Sequence, residues 1–219
     1  MVKSIVVLSG GMDSTTVLHR VVKELEKDSE VHAINIGYGQ KHKKEIKMAK
    51  IQADGLNVPI VFLDIPQIKD ILGGSALTDN IDVPYGHYTE ESMKLTVVPN
   101  RNMILLSLAI GYAVSIGASR VYYGAHSGDH AIYPDCRAIF VRTMTEVAKV
   151  ANHMPVYIIA PYLNQDKGDI VIDGLRLGVD YKKTWTCYEG KVEPCGKCGC
   201  CVERAEAFEK AGAKDPLLR

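Results

Sequence analysis

The sequence predicts an α/β fold, a doubly wound, Rossmann-like parallel sheet with helices on both faces. Three observations predict it: short β-branched apolar runs recur along the chain, longer helical patterns separate them, and a glycine-rich turn follows the first run directly. With 219 residues, 47% hydrophobic and 24% charged, the chain can bury one large core. Ser4 to Leu8 reads as the first strand, apolar almost throughout as a strand buried on both faces is. A crossover helix follows, with Val17, Leu18, Val21, Val22 and Leu25 on one stripe and Lys23, Glu24, Glu26 and Lys27 turned to water. Val31 to Ile36 and Pro59 to Leu63 are the next strands, with a helix expected across Gln40 to Leu56 between them. The alternation continues with a helix over Met103 to Ile116, a strand over Arg120 to Gly124, a helix over Ala138 to Val150, a strand over Val156 to Ala160 and a helix beginning at Lys167. A last helical pattern, Val202 to Ala211, follows a cysteine cluster. Gly73 to Val98 is the least regular stretch and a candidate lid. We expect an α/β domain over residues 1–180 and a metal-binding extension over 181–219 packed on it. Ligands of such sheets bind beyond the carboxyl ends of the strands.

Composition narrows the function. Lys plus Arg (26) cancels Asp plus Glu (26), so no global positive field gathers nucleic acid. Direct nucleic-acid binding is therefore not expected. The N-terminus turns glycine-rich after five or six apolar residues and lacks the apolar core and cleavage site of a signal peptide. The uncharged run Asn102 to Ser119 approaches membrane-spanning length, yet Ser107, Gly111, Ser115 and Gly117 interrupt it as in a buried helix. We expect a cytoplasmic protein with no membrane partner. A symmetric homodimer is the default oligomer. Five of the six cysteines fall between Cys187 and Cys201, which reads as a metal site in a reducing compartment.

Ser9-Gly10-Gly11-Met12-Asp13-Ser14 lies between the first strand and its helix. Two glycines let backbone approach phosphate oxygens, the N–H groups of the helix start lack internal partners, and Ser9, Ser14 and Thr15 add hydroxyls. Asp13 would repel a bare triphosphate, so its presence points to Mg²⁺ between it and the phosphates. A Walker-type loop is absent. The segment resembles the pyrophosphate loop of the N-type ATP pyrophosphatases, which cleave ATP between the α and β phosphates. That resemblance implies attack by a substrate oxygen on the α-phosphate, giving an adenylate open to a nucleophile. Such catalysis is mostly positioning and charge neutralisation.

Lys167 and Arg101 are the candidate cations: Lys167 opens a helix, and Arg101 with Asn102 stands at a loop-to-helix start suited to a phosphate or carboxylate. Gly124 to Asp129 ends the fourth strand at the ligand-facing edge, and Tyr133-Pro134-Asp135-Cys136-Arg137 follows as a specificity element. Asp135 can accept two hydrogen bonds from the edge of a guanine-like ring, Tyr133 can stack on its face, and Arg137 joins the same element. Asp129 either ligates Mg²⁺ or caps the following helix. His126 and His130 have no spaced partner that makes a metal site or triad, so both read as polar loop residues. Cys136 reads as a small buried residue.

Cys187, Cys195, Cys198 and Cys201 make a closed four-thiolate set of the kind that holds structural zinc. Cys200 competes, but Cys201 keeps the two-residue spacing from Cys198.

Taken in order, Leu8 to Thr16, Val98 to Asn102, Tyr133 to Arg137, Asp166-Lys167, Thr184 to Tyr188 and the cysteines resemble the 7-cyano-7-deazaguanine synthase family over nearly the whole chain. The resemblance implies an adenine nucleotide alpha hydrolase-like fold and an ATP-dependent C–N ligase. It further implies ATP, ammonia and 7-carboxy-7-deazaguanine as substrates, an adenylated carboxylate, an amide intermediate, and a product feeding queuosine or archaeosine synthesis. Carried over residue by residue, it implies nucleotide binding at Leu8, Ser9, Gly10, Gly11, Met12, Asp13, Ser14, Thr15, Thr16, Val17 and Leu18, and zinc on the four cysteines already named. Two departures stand out: Thr186 where the family more often has Ser, and the added thiol of Cys200. The nearest rival reading is a tRNA-thiolating enzyme with the same loop, which calls for an RNA-binding extension and a reactive cysteine pair that the sequence does not display. A non-catalytic zinc-ribbon module is a second, but it leaves Asp13 and Lys167 without a task.

Overall fold

The computed structural model describes residues 2–25, 29–41, 43–87 and 91–217. Among them, β1 (Lys3–Val7), β2 (Glu30–Gly37), β3 (Ile60–Asp64), β4 (Arg120–Tyr122) and β5 (Tyr157–Ile159) form a parallel sheet in the order β3-β2-β1-β4-β5. Ile5 of the central strand stands between His32 and Val121, and Val6 between Ala33 and Tyr122. Every strand expected from sequence is present. The last two are shorter than expected, because after Tyr123 the chain leaves the ladder to enter a cavity.

Side chains of a strand alternate between faces, and the two cores follow that alternation. Ile5, Ile34, Val121 and Ile158 pack with Leu106, Ala109 and Ala113 of α3 (Arg101–Ile116) and Val141, Met144 and Ala148 of α4 (Ala138–Val150). Val6, Leu8 and Ala33 pack with Val17, Leu18 and Val21 of α1 (Met12–Glu24), Ala49 and Ala53 of α2 (Lys44–Gly55) and Ile170 of α5 (Lys167–Leu177). The sheet is therefore doubly wound, and strand order reverses at β1, where ligands of such sheets bind. Glu26 and Lys27 of the expected crossover helix lie outside the described residues. Met93 to Ile116 is long and apolar enough to cross a membrane, yet Leu106, Ala109, Ile110 and Ala113 are buried in the core.

The candidate lid is packed where it is described. Ala76 N–H donates to the Leu95 carbonyl at 2.7 Å, Lys41 N–H to that of Leu77 at 3.1 Å, and Tyr85 bridges to Cys198. Residues 88–90 lie outside the described set. The C-terminal segment is locked by Arg204 on α6 (Gly199–Lys210), only 1% exposed, whose guanidinium pairs with both oxygens of Asp215 at 2.8 and 2.9 Å and donates to Thr184, Thr186 and the Tyr181 carbonyl. Five charge-assisted hydrogen bonds are what allow a guanidinium to stay this deep.

Candidate active site

A cavity of about 230 Å³ opens beyond the carboxyl ends of β1, β2 and β4. The glycine loop forms its floor. Gly10 has φ +95°, and any side chain there would collide with the backbone of Glu45 and Ala49 in the first turns of α2. Ser9 Oγ lies 2.9 Å from Ser14 Oγ and accepts the Gly11 N–H at 3.1 Å, while Ser14 Oγ accepts the Ser9 N–H at 3.2 Å, so the turn is braced before any phosphate arrives. Gly11 caps α1 with no side-chain bond to the helix's first N–H groups, the kind of helix start that can receive an anion.

Beside the loop sits a charged cluster. Lys167, 6% exposed, lies 2.5 Å from Glu203 Oε2 and 3.5 Å from Asp13 Oδ2. Burial opposes its charge, but Asp13 and Glu203 outweigh burial and hold the ammonium well above the usual lysine range. Burial likewise raises the Glu203 carboxyl, against the pull of Lys167. His126 is fully buried, with Nε2 3.4 Å from Asp129 and 4.0 Å from Asp13. Its Nδ1 accepts the Gly128 N–H at 3.2 Å, so a neutral ring carries its proton on Nε2. His126, Asp129 and Glu203 present ligand atoms within 4.8 Å of one another. That tautomer removes His126 from a metal's ligand set, because a ligating imidazole donates from its other nitrogen. The carboxylates remain available, and Asp13 Oδ1 is buried with no hydrogen-bond partner, an orphan acceptor that fits a cation.

The far end of the cavity is aromatic and basic. Arg101, over the Tyr133 ring at 5.9 Å, stays charged although burial opposes it, because Tyr38, Tyr133, Tyr188 and Asp135 surround it. Tyr133 shares its hydroxyl with Thr96 at 2.7 Å and Tyr188 at 3.4 Å. Burial lifts its phenol to about 12, so it remains a neutral ring.

Cys187, Cys195, Cys198 and Cys201 are all free, with sulfur atoms within 4.8 Å of one another. Cys195 and Cys201 sulfurs are 4.0 Å apart, close to the edge of roughly 3.8 Å for a tetrahedron with Zn–S bonds of about 2.3 Å. The N–H groups of Lys197 and Cys198 point at Cys195 Sγ at 3.4 and 3.3 Å, as thiolates require. The group can hold a metal such as zinc. Cys200, the competing thiol, turns instead to the cavity wall.

The sequence model described as "Queuosine biosynthesis protein QueC" matches residues 3–212. The chain belongs to that family. This QueC chain is 59% identical to the 7-cyano-7-deazaguanine synthase of Pseudoalteromonas translucida, over 98% of its own length and 97% of the relative's. It is also 59% identical to that of Alteromonas mediterranea, over 97% and 96%. Among solved structures, the U34-tRNA thiolase NcsA from Methanococcus maripaludis superposes with TM-score 0.52 at 16% identity, covering 95% of this chain and 63% of the longer one. A predicted subunit of a tRNA methyltransferase from Methanocaldococcus jannaschii superposes with TM-score 0.51 at 12% identity, covering 100% and 92%. At such identities these two speak to the fold alone.

The residues expected from the QueC sequence divide into two groups. Leu8, Ser9, Gly11, Met12, Asp13, Ser14, Arg101, Asn102, Tyr133, Cys136 and Lys167 line the cavity. Thr15, Thr16, Val17 and Leu18 are buried in α1 instead, where Thr16 bonds Tyr181 at 2.8 Å. Asp135 is not on the cavity wall: its Oδ2 accepts the Asn102 N–H at 3.1 Å and so caps α3. Arg137 is exposed and donates to the His130 carbonyl at 2.8 Å, also away from the cavity. His126, read from sequence as a polar loop residue with no spaced partner for a metal site or triad, faces Asp129 three residues on and Asp13 of α1. Sequence reasoning missed Glu45, Glu203 and Tyr38, and took Tyr188 only as part of the Thr184 to Tyr188 segment with no site role. Glu45 sits in a lysine-rich run that looks solvated, and Glu203 on an amphipathic helix looks like its polar face.

Proposed function

We propose that the chain converts 7-carboxy-7-deazaguanine and ammonia to 7-cyano-7-deazaguanine at the expense of ATP, as its relatives' name describes, and so supplies a queuosine or archaeosine precursor. The observation that carries this reading is one cavity holding both a glycine-rich anion loop with a buried lysine and a basic, aromatic-lined end. The loop N–H groups and the hydroxyls of Ser9 and Ser14 hold the phosphates. Arg101 meets the substrate carboxylate, and Tyr133 and Asn102 orient its ring, with Asp135 acting through Asn102. Lys167 neutralises charge as pyrophosphate leaves. Mg²⁺ entering with ATP fits the orphan Asp13 Oδ1 and Asp129 and would screen the phosphates. An amide oxygen can be activated by the same loop as a carboxylate oxygen, so one cavity serves both steps.

Zinc on the four cysteines ties the 181–219 segment to the 1–180 domain and takes no part in the reaction. A cytoplasmic location and a homodimer fit this reading, as does the balanced charge, which suits a small heterocycle better than a tRNA. Mass spectrometry of the zinc-loaded protein with Mg-ATP, ammonium and 7-carboxy-7-deazaguanine tests it. Loss of the acid, a transient amide and a final nitrile with AMP are expected. No base conversion, with AMP formed only on adding tRNA and a sulfur donor, would move the substrate to RNA.

A further inference from the structure

We propose that Glu45 is the proton acceptor for the nitrogen chemistry, stationed between the phosphate loop and Arg101. This rests on the reaction proposed above. Glu45 belongs to the first turn of α2, and the absence of a side chain at Gly10 is what lets that turn sit directly against the loop. It lines the same cavity as Arg101 and Asp13, near enough for its carboxyl to feel both charges. An acyl group held by Arg101 and joined to an α-phosphate at the glycine loop would have its reacting carbon in this cavity.

Three carboxylates line the cavity in all among the described residues: Asp13, Glu45 and Asp129. Asp13 lies 3.5 Å from Lys167, and Asp129 lies 3.4 Å from the proton-bearing Nε2 of His126. Glu45 accepts no hydrogen bond and joins no ion pair among the described residues. The lone pairs of its carboxyl are therefore vacant. In the ligand-free chain burial lifts its carboxyl to about 7, with Arg101 pulling down and Asp13 pushing up, so it binds a proton more tightly than an ordinary carboxylate.

The reaction needs such a group repeatedly. Ammonium carries four protons and a nitrile nitrogen none. One is lost as ammonium becomes a nucleophile, and a second as the C–N bond forms and the C–O bond to the first AMP breaks. A third leaves when the amide oxygen attacks the α-phosphorus of a second ATP and expels pyrophosphate. The fourth leaves as the remaining C–O bond breaks, releasing the second AMP and completing the triple bond. Both carboxylate oxygens depart on AMP, and no oxidant or reductant is needed. Glu45 takes each proton and passes it to water at the cavity mouth before the next step.

The test compares wild type, Glu45→Gln and Glu45→Asp, all zinc-loaded and full length, in three assays: substrate-dependent ATP–pyrophosphate exchange, nitrile formation from ammonium, and hydroxamate formation from hydroxylamine, which is largely neutral at neutral pH. Glu45→Gln is expected to keep exchange within about 3-fold while losing on the order of 10²-fold or more in nitrile formation and at least about 10-fold less than that in hydroxamate formation, with partial recovery in Glu45→Asp. Nitrile formation within 3-fold of wild type would overturn the proposal. So would parallel loss of all three activities, which marks a structural role. Absence of exchange in wild type itself would bring down the proposed reaction, and Glu45's task with it.

Discussion

The backbone N–H of Trp185 donates to the carbonyl of Gly10 at 3.0 Å, joining the cysteine segment to the glycine loop. Two residues on, the indole N–H of the same tryptophan donates to the Cys187 carbonyl at 2.9 Å, and its ring carries the Lys44 ammonium at 4.1 Å. The cysteine group, the loop and the start of α2 thus share one anchor. A metal held by the four cysteines can therefore steady the glycine loop without entering the cavity.

Stripping the metal with a chelator, or the Cys198→Ser substitution, is therefore expected to do more than lower the melting temperature. Ligand loss frees Cys187, Trp185 loosens, and the Gly10 turn loses its outer support. Substrate-dependent ATP–pyrophosphate exchange should fall at least about 10-fold in protein that still shows native circular dichroism, and readdition of zinc should restore it. Exchange unchanged in metal-free protein would mean that the anchor holds without the metal.

Lys167→Met removes the one ammonium placed between Asp13 and Glu203 at 3.5 and 2.5 Å. Leaving Glu203, its side chain 12% exposed, unpaired should cost up to about 3–5 kcal/mol of stability in chemical denaturation. Loss of the cation at the leaving pyrophosphate should lower turnover on the order of 10²–10³-fold. Adding Glu203→Gln should restore much of the stability and none of the turnover, a non-additivity that separates the two roles. Equal recovery of both would place Lys167 in the structure alone.

Asp135 and Arg137 separate two readings of one motif. Both were legible as a specificity element, but Asp135 caps α3 through Asn102, and Arg137 faces outward to the His130 carbonyl. Asp135→Ala should cost about 1 kcal/mol and raise the KM for the deazaguanine acid, because Arg101 and Asn102 lose their fixed helix start. Arg137→Ala should change neither by more than about 2-fold in KM or about 0.5 kcal/mol in stability. A strong rise in KM for Arg137→Ala would return that residue to the substrate.

These cases show what sequence carries and what it does not. Strand and helix order was readable because buried parallel strands are uninterrupted apolar runs and crossover helices carry apolar stripes, features local to a few residues. The loop from Ser9 to Ser14 and the cysteine spacing were readable for the same reason. The His126, Asp129 and Glu203 cluster was not, because Glu203 arrives from α6, 74 residues after Asp129 and by way of the cysteine group. Glu45 was hidden by its neighbours Lys43, Lys44 and Lys47, which give a half-buried, cavity-lining carboxylate the look of a solvated helix end.

Glu45 also leaves a signature in stability. Its folded value of about 7 lies above the ordinary carboxyl value of 4.5, because burial disfavours the charged form. Between these values the unfolded chain has released the proton that the folded chain keeps, so stability falls as pH rises through this window and levels off above it. The acid-form advantage is fully present below 4.5 and lost above about 7. Glu45→Gln cannot titrate, so its stability relative to wild type should climb across the same window. Above it, the variant should be more stable by about 1–3 kcal/mol in urea melts of ligand-free, zinc-loaded protein. A constant difference from pH 4.5 to 8 would mean that the wild-type carboxyl is charged throughout, and that burial at the cavity does not hold its proton.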